Sequence, residues 1–396
     1  MTDTIIDRYL ELGLRLGRHD PGIVDAYYGP PELNRRIDDE PVRSAAALAD
    51  DARRLVADLD AGADPEINGQ RRVWLAAQAR GLHTVCRVLA GEQIPYLDEV
   101  EACYGVRPEP VDDDEIAAAQ QALDAALRGG GSLADRLAAM RERHVIAVDR
   151  LPVVIDHLSS ELRERTRRAF GLPDGERVDF DLVNDKPWSG FNHYLGDLRS
   201  SVVINTDLPV LSTSIAHLVA HEAYPGHHTE HSHKEAGLVR RAKQLEESIA
   251  LVGTPSCLMA EGLADLGLEA LMGSDPHVAV ESMIRDAGLN YELDAVHALA
   301  GFSDVSGRAR GRLAVELHAN GRDPDDVVAL AERWLLIDHA RASKSVEFLT
   351  DRTWRAYVFC YAEGHRRCQA FMGGDPARFA RLLDEQLTPA DLIPLG

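Results

Sequence analysis

A chain of 396 residues, 45% hydrophobic and 6% aromatic, is long enough to bury a large core, and its many Ala, Leu, Arg and Glu residues suit packed helices. A formal net charge of -22 repels nucleic acid and anionic membrane surfaces, which argues against partners of either kind. The five cysteines, Cys86, Cys103, Cys257, Cys360 and Cys368, show neither metal-ligand spacing nor an even disulfide set, so a reducing compartment is expected. The acidic start from Met1 to Asp7 lacks a basic segment followed by a long apolar run, and no stretch reaches the length of a membrane span. The expectation is a cytoplasmic protein. Residues 2 to 18 carry apolar positions at helical spacing up to the break at Asp20-Pro21-Gly22. Amphipathic helices are predicted over 42–60, 69–91 and 114–128, the last capped by Asp112-Asp113-Asp114. Beyond Gly129-Gly130-Gly131, a long helix is predicted from Ser132 or Asp135 towards Phe170, bent near Pro152. Between Gly171 and Thr213 the composition turns strand-like: Val178 to Val183 alternates and Ser201 to Asn205 is β-branched, flanking a glycine-punctuated loop from Trp188 to Arg199. Residues 236 to 252 read as another amphipathic helix, Gly253-Thr254-Pro255 turns the chain into a helix carrying Glu261, and the remainder is helical. The fold expected is mainly α with a small β-hairpin or sheet beside a histidine-rich helix. It forms one unit over 1–396, divisible into a helical amino-terminal lobe, 1–170, and a metal-site lobe, 171–396.

The chemistry concentrates in His221-Glu222-Ala223-Tyr224-Pro225-Gly226-His227-His228. Zinc peptidases commonly place two His at i and i+4 of a helix, with the Glu after the first activating the attacking water. Here the interval is six or seven residues. On a straight helix i+7 returns to the same face about 10 Å further along, whereas i+6 points elsewhere. Pro225 cannot donate to the carbonyl four residues back, so with Gly226 the helix should kink and let His221 converge with His227 or His228 on one ion. Helix phase favours His228, and alignment on the Gly-His pair of zinc peptidases favours His227. Glu261, opening an apolar helical stretch, is the candidate third ligand, with the fourth position left to water. His231 and His233 read as solvated or packed behind the ligands. For substrate, Ser201 to Asn205 is a candidate edge strand, and Asn192, Tyr194 and Arg199 offer an amide, a phenol and a guanidinium, Arg199 being equally suited to an internal acid. Late in the chain, His318 follows Arg308, Arg310 and Arg312, cations suited to an anionic intermediate or a substrate carboxylate. Tyr357 and Tyr361 stand one helical turn apart, and a phenol is a suitable donor to an oxyanion.

The box from His221 to His228 resembles the signature of the bacterial domain-of-unknown-function 885 family, a group similar to helical zinc metallopeptidases. Asp25-Ala26-Tyr27-Tyr28-Gly29-Pro30 is similar to that family's amino-terminal motif, Glu261-Gly262-Leu263-Ala264 to its Glu-Gly-Trp-Ala, and Tyr361-Ala362-Glu363-Gly364 to its late Tyr-x-x-Gly. Leu263 departs from the usual Trp, Asp265 and Leu266 stand where Leu and Tyr are common, and Val315-Glu316-Leu317-His318 is a reduced form of the family's Asp-Thr-Gly-Leu-His. The resemblance implies a helical metallopeptidase-like fold and favours Tyr361 as the oxyanion donor. The activity expected is that of a metal-dependent hydrolase, a zinc peptidase or small amide hydrolase. Zn2+ or another divalent metal would be held by His221, His227 or His228, and Glu261. Glu222 would act as base, with Tyr361 or His318 supporting the intermediate. The alternatives are the same fold repurposed as a lyase or biosynthetic metalloenzyme, and a non-catalytic metal-binding protein.

Overall fold

Local caps set many helix boundaries in the computed structural model, which describes residues 4–67, 69–186 and 188–392. The first three residues, part of the acidic start discussed above, lie outside the described residues. Thr4 closes a reciprocal cap with Asp7 at the head of α1 (Ile5–Gly17), which β1 (Val24–Tyr27) and α2 (Pro31–Asp39) follow. Ser44 caps α3 (Ala45–Ala61), and Gly62 ends it in the left-handed region. Then come α4 (Gly69–Leu89), α5 (Tyr96–Tyr104), α6 (Asp113–Ala126), α7 (Leu133–Arg143) and α8 (Leu151–Phe170). Three strands, β2 (Arg177–Val183), β3 (Gly190–Gly196) and β4 (Arg199–Asn205), precede α9 (Ile215–Glu222) and α10 (His227–Lys234). After β5 (Ile249–Leu251), the chain is helical: α11 (Pro255–Met272), α12 (His277–Asp286), α13 (Leu293–His318), α14 (Pro324–Leu335), α15 (His339–Thr350), α16 (Val358–Met372) and α17 (Pro376–Asp384). The fold is thus mainly α with small sheets, and among the described residues no helix is long and apolar enough to cross a membrane.

Five sequence expectations are corrected. The long helix expected up to Phe170 breaks after Arg143, because Ile146 N–H donates to Val210 and the His144 carbonyl accepts from Ser212, pulling the chain out of helical pairing. Pro152 starts α8 rather than bending it, since the first turn of a helix needs no donor there. Residues 236–252 do not form an amphipathic helix. A π-helical turn (Glu235–Arg241) is followed by Lys243 at φ 60°, a short 3-10 turn and β5. Two of the charged positions there face inward: Glu246 and Glu247 are buried, Glu246 in a bidentate pair with Arg71 at 2.6 and 2.8 Å. The Trp188–Arg199 segment is largely strand, and Ser201–Asn205 is no edge. In the order β2-β4-β3, Ser201 pairs with Asp179 on one side and His193 on the other, so β4 has no free edge for a substrate.

Each large core draws on both sides of residue 170. One joins Tyr96 and Val100 to Leu258, Leu313 and Phe379; another joins Leu10, Leu48 and Leu82 to Ile249 and Leu251; a third joins Leu158 and Leu162 to Val219 and Ile284. β1 pairs antiparallel with β5, which ties the amino-terminal helices to the segment entering α11.

α11 crosses α16 at close range. A Cβ on Gly262 would lie 2.3 Å from the Gly364 carbonyl, and one on Gly364 would lie 2.4 Å from the Leu258 carbonyl. Both obstacles are backbone, so neither glycine has room for a methyl. Glycine to alanine in a helix interior ordinarily stabilises by about 1 kcal/mol. Here overpacking reverses the sign, and Gly262→Ala should lower stability by about 2–3 kcal/mol in denaturant unfolding. An unchanged or raised midpoint would contradict the crossing.

Candidate metal centre and cleft

Pro225 has no N–H for the His221 carbonyl, so α9 stops at Glu222. The Gly226 N–H donates to the Ala220 carbonyl at 2.9 Å instead, folding the chain back over the end of the helix. A Cβ on Gly226 would lie 1.9 Å from the His221 carbonyl oxygen, so only glycine permits this approach. α10 therefore begins with the His227 ring set edge-on against His221, their Nε2 atoms 3.2 Å apart. Glu261 on α11 completes the group, with Oε2 3.4 Å from His221 Nε2 and Oε1 3.4 Å from His227 Nε2. Ligands about 2.0–2.1 Å from a tetrahedral zinc ion stand about 3.3 Å apart, so two nitrogens and a carboxylate at these separations fit a zinc-sized ion with one position left over. Glu261 Oε2 is buried without a hydrogen-bond partner in the protein, as a ligand oxygen would be.

Neighbouring groups hold these side chains in place. Asp265, one turn beyond Glu261 on α11, meets His221 Nδ1 at 2.9 Å, which places the proton on Nδ1 and leaves the Nε2 lone pair facing His227 and Glu261. His217 approaches the same Asp265 oxygen at 3.4 Å. The Tyr357 phenol donates to Glu261 Oε1, and its ring packs edge-on against Tyr361, 5.5 Å between centroids. Burial disfavours a charged His221, but its hydrogen bond to Asp265 and the charges of Asp265 and Glu261 outweigh it and hold its pKa well above the ordinary value. Burial likewise opposes ionisation of Glu261, yet the adjacent His221 and His227 imidazoles bring it down to about 2. The cluster is thus built to hold positive charge.

Glu222 is buried beside it. Its main-chain carbonyl accepts from Asn192 Nδ2 at 2.6 Å, and its carboxylate lies against Gly190, where a Cβ would stand 3.1 Å from Oε1. Burial raises the Glu222 pKa, with the His221 and His227 charges opposing in part. Two recesses meet here, sharing Trp188, Gly190, His221, Glu222, Phe348 and Tyr361. The narrower is bounded by β1, β5 and α10 and contains Asp25, Glu230, Lys234 and Glu247. Burial pushes Asp25 up to about 6 and Glu247 up to about 7. The wider recess is lined by Lys186, Arg310, Arg341 and Lys344.

Of the residues singled out in the sequence, His221, Glu222, His227, Glu261 and Tyr361 come together around this cleft, and Asn192 lines its narrow side. His228 does not join them. One residue on from His227, it turns about 100° away, fully buried, with Nδ1 2.8 Å from Ser200 Oγ and Nε2 3.1 Å from Glu176. His318 lies outside both recesses, bonded to the Leu349 carbonyl at 2.7 Å and packed on Tyr96. Arg199 is exposed at the start of β4, away from the cleft lining. Tyr194 is buried beneath the sheet, donating to Glu235 at 2.5 Å and stacking on His231. Asp265 and the bond from Tyr357 escaped sequence reasoning. The one available signal for Asp265 was its place four residues after Glu261.

No protein-family model matches the chain, and no curated protein matches it. Among solved structures it is similar to "the putative lipoprotein from Colwellia psychrerythraea", with a TM-score of 0.56 and 15% identity over 87% of this chain and 65% of that one. The chain thus spans less than two thirds of that protein's length, and the likeness is one of fold. "A putative lipoprotein of unknown function from Shewanella oneidensis" aligns with a TM-score of 0.45 and 14% identity over 98% of this chain and 72% of the other. The protein named BsuCP aligns at 0.43 and 12%, over 98% and 88%.

Titrating purified variants with zinc against a chelator tests the ligand set. His227→Ala should abolish tight binding while His228→Ala leaves it intact, and Asp265→Asn should weaken it on the order of 10- to 100-fold. Equal losses from the two histidine variants would remove the basis for choosing between them.

Proposed function

We propose that the protein is a metal-dependent hydrolase acting on peptides or small amides. The observation that carries this reading is the convergence of His221, His227 and Glu261 at tetrahedral spacing beside a buried Glu222, where two recesses meet. The resemblance of the His221–His228 box to the domain-of-unknown-function 885 family supports it. A divalent ion such as zinc, held by those three side chains, supplies Lewis-acid polarisation of a carbonyl and makes water a better nucleophile near neutral pH.

The remaining work falls to the chain's own groups. Glu222 receives a proton from the attacking water and passes it to the departing amine as the C–N bond breaks, the shuttle role of a buried carboxylate. Tyr361 lines both recesses with part of its side chain exposed, and its phenol is protonated at neutral pH as a phenol ordinarily is. It can therefore donate to the carbonyl oxygen as negative charge develops there. Asp265 and Tyr357 act through His221 and Glu261, fixing their orientation.

Digestion of a peptide library, run alongside metal analysis, tests the proposal. Glu222→Gln should retain stoichiometric metal while turnover falls by about 10²–10⁴-fold. His221→Ala should lose metal and activity together. Metal retained in the His221 variant, or full activity in the Glu222 variant, would overturn the assignment.

A further inference from the structure

In a chain with 65 acidic and 43 basic residues, four cations gather around the wide recess. α13 carries three arginines at alternate positions, and two are neutralised. Arg308 pairs with Glu115 at 3.1 Å, and Arg312 pairs with Asp113 at 2.7 Å and stacks over Trp334. Arg310 has no hydrogen bond or ion pair among the described residues, and it is exposed on the lining of the wide recess. α15 adds Arg341 and Lys344 to the same wall, and the approach to β3 adds Lys186. Asp338 and Asp207 engage Arg341 and Lys344 from outside the recess, and the acids lining it are Glu222 and Asp265, the latter bonded to His221. The opposite recess has the reverse sign. It holds Asp25, Glu230 and Glu247 against the single cation Lys234, and Glu230 Oε2 and Glu247 Oε1 are buried without partners.

A peptide lying across the metal centre therefore meets a field that runs from acidic to basic. Its carboxylate is repelled from the narrow side and attracted to the wide one, where a free guanidinium presents the planar pair of donors that a carboxylate accepts. Leu218, Ile337, Leu349 and Val358 line the same recess and give an apolar side chain somewhere to rest. We propose that the wide recess is the leaving-group subsite and that Arg310 binds the free C-terminal carboxylate of the substrate, which makes the cleavage carboxypeptidase-like. This rests on the hydrolase reading above. Water adds to the acyl carbon, the C–N bond on its carboxyl-terminal side breaks, and the residue held by Arg310 departs as a free amine.

The test uses N-acetylated peptides of two to five residues, each made as the free acid and as the C-terminal amide. Zinc-loaded wild-type protein should cleave the acids on the order of 10- to 100-fold more efficiently than the amides. Calorimetric binding to Glu222→Gln should show the same preference without turnover. Arg310→Ala in the Glu222→Gln background should abolish that preference, and Arg310→Lys should restore part of it. Equal binding of acid and amide, or a preference that survives Arg310→Ala, overturns the subsite. If the acids bind preferentially through Arg310 but no peptide is cleaved, the subsite stands and the hydrolase reading falls.

Discussion

The carbonyl oxygens of Ala220 and His221 occupy the space that a side chain at position 226 would need, and the rest of the centre depends on that absence. Because Gly226 settles onto the exposed end of α9, α10 starts beside α9 rather than continuing it, and histidines six positions apart become neighbours. Glu261 arrives by the same device at larger scale. Gly262 and Gly364 allow α11 and α16 to cross backbone to backbone, which brings Tyr357 within bonding reach of the adjacent carboxylate. Gly267 lets α11 close on Pro225, the residue that interrupts α9. Four glycines, none at positive φ, thus serve through close approach.

Electrostatics then divides the cleft. Burial makes isolated carboxylates costly, so most inward-facing acids are paired: Glu246 with Arg71, Glu176 with Arg163 and His228, Glu235 with Arg240. The acids of the narrow recess are incompletely paired, and Arg310 in the wide recess is unpaired. The buried carboxylate oxygens left so are costly unless something else meets them, whereas Arg310 is exposed and open to an incoming anion. Their placement on opposite sides of Tyr361 and Glu222 gives the cleft a direction as well as a chemistry.

Much of this was legible from periodicity and caps. The helices over 45–61, 69–89 and 113–126 and the strands over 177–183 and 199–205 follow from local pattern alone. The segment 236–252 misled because Glu246 and Glu247 are buried and Arg71, which neutralises Glu246, lies far away in sequence, so charge there does not mark a solvated face. The choice between His227 and His228 turned on the path of four residues, which neither helix phase nor motif alignment describes. Asp265 looked like one more acid on a helix, since its role depends on the rotation of α11 relative to α9. Arg310 was indistinguishable from Arg308 and Arg312 until their partners were placed.

The pairing of β1 with β5 also carries a cost in time. The strand that walls the narrow recess leaves the ribosome early, yet its partner is made about 220 residues later. Until then the nascent amino-terminal helices must wait with an unpaired edge and without the Ile249 and Leu251 side chains that fill their core. A contact of such long sequence separation waits on synthesis, so this wall of the narrow recess is not sealed until Leu251 has emerged, with Phe348, Trp354 and Tyr361 of the same lining still to come.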